Sequence, residues 1–142
     1  MILAVGGNAR GTGKTTLICA IIRHCIRHCP ELAWHALKVT PHEHLHESGD
    51  TARFLAAGAV EAYLRSTADL PALNQGNWII ESNRILHLLT PDAYIFIQGD
   101  DVVDEKPQSR WHLPQADVIL RGWTPSEELP PAVHALLNRL VR

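Results

Sequence analysis

Short apolar runs alternate with longer amphipathic stretches along the whole chain. Ile2-Leu3-Ala4-Val5, Ala33 to Val39, Val60 to Leu64, Trp78-Ile79-Ile80, Ala93 to Ile97 and Val118-Ile119-Leu120 are short and mostly apolar, with polar or glycine-containing loops around them. Such runs read as strands buried on both faces. From Lys14 to Cys29 the spacing changes: Leu17, Ile18, Ile21, Ile22 and Ile26 form one stripe, while Arg23, Arg27 and His28 face outward, and Pro30 stops the helix. Asp50 to Ala57 predicts a short helix ended by Gly58, and Thr67 to Gln75 a short helical or irregular link. Asn83 to Leu89 predicts one helical segment. The tail from Ser126 predicts a helix with Val133, Leu136, Leu137, Leu140 and Val141 on one face. Strands that alternate with helices in this way predict a three-layer α/β fold, with a mostly parallel sheet covered by helices on both faces. In such sheets the site lies at the carboxyl ends of the strands.

The loops expected there hold the polar residues of the chain. The first is Gly6-Gly7-Asn8-Ala9-Arg10-Gly11-Thr12-Gly13-Lys14-Thr15-Thr16, between an apolar strand and an amphipathic helix. Strand, glycine loop and helix in that order are what a phosphate-binding P-loop requires. Glycines let several backbone N–H groups turn toward one anion, and the helix adds the positive end of its dipole. Asn8, Ala9, Arg10, Gly11, Thr12, Gly13, Lys14, Thr15 and Thr16 are therefore the candidate nucleotide-binding residues. Lys14 would reach the β- and γ-phosphates, and the Thr15 hydroxyl would coordinate Mg²⁺. The pattern G-x-x-x-x-G-K-[ST] departs from this chain at one place, where Asn8 replaces the first glycine. Arg10 would bend over the phosphates of its own or a neighbouring subunit.

Glu81 ends the apolar strand Trp78-Ile79-Ile80, where a P-loop protein keeps the carboxylate that holds the metal or its water, so Lys14 and Glu81 are the candidate catalytic pair. Asp50 has two readings, a second metal-side carboxylate or a helix N-cap. The metal-side set is accordingly Thr15, Asp50 and Glu81. Ser82 and Asn83 read as a helix cap. Lys38, at the end of the second strand, would neutralise phosphate or contact an acidic substrate, and Arg53 would touch phosphate or a partner chain. His42, His44 and His46 alternate, a spacing that can offer three imidazoles to zinc or nickel. The His24-Cys25 and His28-Cys29 pairs lie one turn apart; buried cysteines beside exposed histidines are the plainer reading.

Composition narrows the function classes. The 142 residues suit one domain spanning 1–142, and a net charge of −2 carries no signature of nucleic-acid or membrane-surface binding. No run reaches the roughly eighteen apolar residues of a membrane span, and the glycine loop interrupts any signal-peptide layout, so a cytoplasmic location is expected. Three cysteines confined to one helix do not make a disulfide framework.

Taken in order, several segments resemble the molybdopterin-guanine dinucleotide biosynthesis protein B family. They are Gly13-Lys14-Thr15-Thr16-Leu17-Ile18, Lys38-Val39-Thr40-Pro41-His42-Glu43-His44, Asp50-Thr51-Ala52-Arg53 with Ala57-Gly58-Ala59, and Ile79-Ile80-Glu81. The resemblance covers roughly residues 1–120. It implies a GTP-binding, weakly hydrolysing, usually dimeric adaptor that helps attach GMP to molybdopterin. Gly11, Gly13, Lys14, Thr15 and Thr16 would bind phosphate and metal, Asp50 and Glu81 would serve the metal side, and Lys38 and Arg53 would line the site. Three positions depart from that pattern. Ser82 follows Glu81 where the family has glycine, and Val39 replaces a histidine. Arg121-Gly122-Trp123-Thr124 stands in place of an Asn-Lys-x-Asp guanine reader, which leaves GTP and ATP both open. The expectation is a slow Mg²⁺-dependent NTPase with a partner protein of molybdenum-cofactor biosynthesis and a homodimeric arrangement. A small-molecule kinase using ATP and a metal-delivery NTPase using the histidine loop are the alternatives.

Overall fold

The structure, a computed structural model, describes residues 1–7, 13–40, 49–99 and 113–141. Six strands form one sheet: β1 (Ile2–Gly7), β2 (Trp34–Thr40), β3 (Glu61–Ser66), β4 (Asn77–Glu81), β5 (Ala93–Gln98) and β6 (Val118–Arg121). Their order across the sheet is β3-β2-β4-β1-β5-β6, and every pairing is parallel. Among the described residues three α-helices accompany them: α1 (Lys14–His28), α2 (Asp50–Ala57) and α3 (Pro131–Leu140). The alternation of apolar runs and amphipathic stretches thus yields the α/β architecture it predicts.

The period of two in each strand sorts side chains into two cores. Leu3 and Val5 of β1, Ile79 of β4, and Ala93, Ile95 and Ile97 of β5 join a cluster with Leu17, Ile18, Ile21 and Ile22 of α1, Phe54 of α2, and Val133, Leu136 and Leu137 of α3. Ala4, Ile80, Tyr94 and Phe96 point to the opposite face, with Leu37 and Val39 of β2. That face is covered by a 3₁₀ turn at Ile85–His87, by Leu86 and Leu89, and by Leu70 and Leu73 of the irregular link after β3. The α-helices among the described residues therefore share one side of the sheet. On the other side the expected helix Asn83 to Leu89 contracts to a single 3₁₀ turn, with only Ile85 of its residues fully inserted as a buried apolar anchor.

Helix α1 follows its stripe. Leu17, Ile18, Cys19, Ala20, Ile21, Ile22 and Cys25 are buried, and a fully buried aliphatic side chain contributes ~1.5–3 kcal/mol. Burial of this extent holds the N-terminal turn of α1 in a fixed place over the sheet. The last helix starts at Pro131, not at Ser126, because Pro130 and Pro131 lie at its entrance and proline is suited to the first helical position. Among the described residues no helix is long and apolar enough to cross a membrane.

The topology also marks a crevice. From β1 the chain leaves through α1 on the helical face toward β2, whereas from β4 it leaves through the Ile85 turn on the opposite face toward β5. β1 and β4 are neighbours, so their carboxyl ends form a topological switch point, where parallel sheets hold their ligands.

Candidate functional site

Strand register builds the site. Val5 of β1 lies beside Glu81 of β4, and Glu81 lies beside Lys38 of β2. Glu81 is two residues beyond Ile79, and Lys38 is two beyond Ala36, so both side chains face the side that carries α1. There the first turn of α1 meets them. The Thr15 hydroxyl donates to Glu81 Oε1 at 2.6 Å. The Lys38 ammonium donates to the Asp50 carboxylate and lies 3.3 Å from Glu81 Oε2. Arg53 Nη2 donates to the Thr16 hydroxyl at 3.2 Å. Six side chains from four elements thus converge at the carboxyl end of β4.

Burial makes these contacts matter. Glu81 is only 4% exposed, and a carboxylate so enclosed requires partners. It has one on each oxygen, a hydroxyl and an ammonium. Burial pulls the Lys38 pKa down, but the hydrogen bond to Asp50 and the charges of Glu81 and Asp50 outweigh it and leave the pKa above its ordinary value. Lys38 is therefore a cation across the physiological range.

The start of α1 is unusual for a helix. Its N-cap is Gly13, in the left-handed region at φ 94°, and among the described residues no side chain caps it. The first turn carries no acidic residue, and Lys14 is its first member. A cation at the positive end of a helix dipole is unfavourable by ~0.3–1 kcal/mol, and an anion bound there reverses the sign. Gly13 is also pressed against the segment after β6. A Cβ added to it would lie 2.6 Å from Cγ of Pro125 and 3.0 Å from Cζ3 of Trp123. At the end of β1, Gly6 packs against the Tyr94 hydroxyl and leaves no room for a side chain. The next backbone group is fixed as well: the Gly7 N–H donates to Asn83 Oδ1 at 3.0 Å, and the Ser82 N–H donates to the Val5 carbonyl at 3.0 Å.

Several expectations are corrected by this geometry. Asn83 does not cap a helix; it holds the end of β1, a role no local pattern could reveal because its partner lies 76 positions upstream. Ser82 accepts from the Arg84 N–H at 3.0 Å, a local turn contact. Asp50 is not an N-cap, since Gly49 occupies that place with φ 87°; Asp50 is the first residue of α2 and holds Lys38. Trp123 and Pro125 are contacts that the sequence pattern did not single out. Lys14, Thr15, Thr16, Asp50 and Glu81 occupy the carboxyl-end region expected of them. Asn8, Ala9, Arg10, Gly11 and Thr12 lie outside the described residues, as do His42, His44 and His46.

Thr15, Glu81 and Asp50 supply hard oxygen donors, and a positive group already stands between the carboxylates. That set fits Mg²⁺, which is held through one or two carboxylates with substrate phosphates and water completing its shell. No group of three or more His, Cys, Asp and Glu among the described residues is placed to hold a metal by itself. The His24 and His28 rings lie tilted to each other with centroids 4.3 Å apart, Cys25 is buried beside them, and all three cysteines are free thiols. Burial first, then His28, His134 and Arg27, keep the His24 pKa below its ordinary value.

No protein-family model, curated protein or solved structure matches the chain.

Proposed function

We propose that the chain is a P-loop domain that binds a nucleoside triphosphate with Mg²⁺ and hydrolyses it slowly. The observation that carries the proposal is the Thr15–Glu81 hydrogen bond at the switch point between β1 and β4, next to a glycine-capped helix whose first residue is Lys14. A hydroxyl and a carboxylate held 2.6 Å apart at a helix N-terminus are the two protein groups a P-loop protein directs at its metal.

In this reading Lys14 holds the terminal phosphates, and the N-terminus of α1 receives their negative charge. Mg²⁺, when bound, neutralises charge on the β- and γ-phosphate oxygens. Thr15 and Glu81 are the residues that would hold it, and Glu81, with two acceptor oxygens, can also orient a water. Arg53, drawn to Thr16, adds a second positive group within reach of the phosphate loop. Asn83 and the Tyr94–Gly6 contact fix the base of the loop from below. Among the described residues the machinery is positioning and charge, and slow turnover is the expected outcome.

The order of motifs supports an adaptor of molybdenum-cofactor guanylylation as the physiological setting, in a cytoplasmic homodimer with GTP or ATP as the nucleotide. A thermal-shift panel of ATP, GTP and CTP with Mg²⁺ tests the nucleotide reading, because a ligand that binds only the native state raises the midpoint. Turnover that stays near its basal rate with every small-molecule acceptor supports the adaptor; strong acceleration by one acceptor would make the protein a kinase instead.

A further inference from the structure

We propose that Lys38 is a built-in counter-ion that fills the metal position of the resting site, so that a divalent cation enters only together with the phosphates that draw Lys38 away. This rests on the nucleotide reading above.

The geometry of the four groups is that of a coordination site with an ammonium inside it. Lys38 donates to Asp50 and lies 3.3 Å from Glu81 Oε2, while the other Glu81 oxygen accepts from Thr15 at 2.6 Å. Asp50 and Glu81 come from different elements, α2 and β4, and their side chains are 14% and 5% exposed. Two carboxylates brought together with so little water repel each other unless a cation stands between them. Lys38 is that cation. A simple structural salt bridge needs one carboxylate, whereas here one ammonium lies against two, and desolvating three charges costs more than an apolar contact of similar volume.

The charges then decide the order of binding. Asp50, Glu81 and Lys38 sum to −1. A divalent ion arriving alone must displace the ammonium from both carboxylates and brings no anion to receive it. A triphosphate supplies that anion. Lys38 is 28% exposed and carries its charge on a flexible four-carbon stem, so it can swing from the carboxylates to a phosphate without repacking the core. The vacated oxygens of Asp50 and Glu81 then face the metal. Nucleotide and cation therefore bind cooperatively, through one side chain.

The test uses Mn²⁺ alone, followed by the electron paramagnetic resonance signal of the free ion, on the nucleotide-free full chain. Lys38→Met and Lys38→Gln should bind one Mn²⁺ at least about tenfold more tightly than the wild type, and Lys38→Arg should stay at the wild-type level. Adding Asp50→Asn to Lys38→Met should remove the gain. Should Lys38→Met fold poorly, its melting midpoint should rise in Mg²⁺ relative to EDTA while the wild type stays unmoved; equal midpoints would overturn the proposal. Neutral variants that bind Mn²⁺ no more tightly than the wild type would also overturn it. If the wild type binds Mg²⁺-nucleotide and the neutral variants show no gain, the counter-ion role alone falls; if the wild type binds no triphosphate, the nucleotide reading falls.

Discussion

The Thr15 hydroxyl donates to the Glu81 carboxylate across 2.6 Å, joining the first turn of α1 to the last residue of β4. The two residues are 66 positions apart, and parallel pairing of β1 with β4 brings them together. If this pair holds Mg²⁺, either Thr15→Val or Glu81→Gln should weaken Mg²⁺-nucleotide binding by about 10- to 100-fold. Nucleotide binding in EDTA should change little, because Lys14 and the helix N-terminus remain. Isothermal titration with and without Mg²⁺ separates the two effects.

Gly13 occupies a conformation and a space that only glycine fits. Its φ of 94° costs another residue ~1–2 kcal/mol, and a methyl group would collide with Pro125 and Trp123, adding ~1–3 kcal/mol of overpacking. Gly13→Ala should therefore lower the urea midpoint, and Pro125→Ala in the same chain should recover a share of the packing part only. A Gly13→Ala protein of unchanged stability would contradict both terms, and a loss of only the φ term would show that the contact with the β6 segment is loose.

Asn83 gives a prediction in which affinity moves more than stability. Losing one part-buried hydrogen bond to the Gly7 N–H should cost ~0.5–1.5 kcal/mol in Asn83→Ala. The same loss loosens the first residues of the loop, so nucleotide affinity should fall severalfold. Asn83→Asp keeps the acceptor and should retain most of the affinity. Titration and denaturation of the two variants side by side provide the check.

These residues also show what a sequence can and cannot reveal. The place of Gly13, Lys14 and Thr15 at the start of α1 was readable because a glycine loop between an apolar run and an amphipathic stretch is a local pattern. Glu81 was readable because an acid at the end of an apolar strand is conspicuous. The Lys38–Glu81 contact was not readable, since it requires β4 to insert between β2 and β1, and only the sheet order establishes that. Asn83 failed as a cap for the same reason: its neighbours in sequence suggested a helix, but the buried anchor Ile85 supports only a 3₁₀ turn. The two-faced sheet was legible from period and composition, whereas the placement of α1, α2 and α3 on one face depended on which connections cross it.

The alkaline limb of stability follows from α1. Burial, and to a lesser degree Cys29, push the Cys25 thiol up to about 12 from an ordinary 9.0. Cys19 is shifted the same way, chiefly by burial. The native state keeps these protons where the unfolded chain has lost them, so stability is full below about pH 9 and falls as pH rises toward 12. Urea midpoints between pH 8 and pH 10 should decline in the wild type and decline less steeply in Cys25→Ala. Lys38 adds a further loss only above about 10.4, where the unfolded lysine begins to lose its proton.

The central claim is that the residues around Lys14 hold a nucleoside triphosphate. Its most direct test is the melting midpoint of the wild type and of Lys14→Ala, each with Mg²⁺ and a millimolar excess of ATP, GTP or CTP. The wild type should melt several degrees higher with ATP or GTP, and Lys14→Ala should show no shift with any of the three. A wild type that no triphosphate stabilises, or a Lys14→Ala variant that triphosphate stabilises equally, would contradict the account.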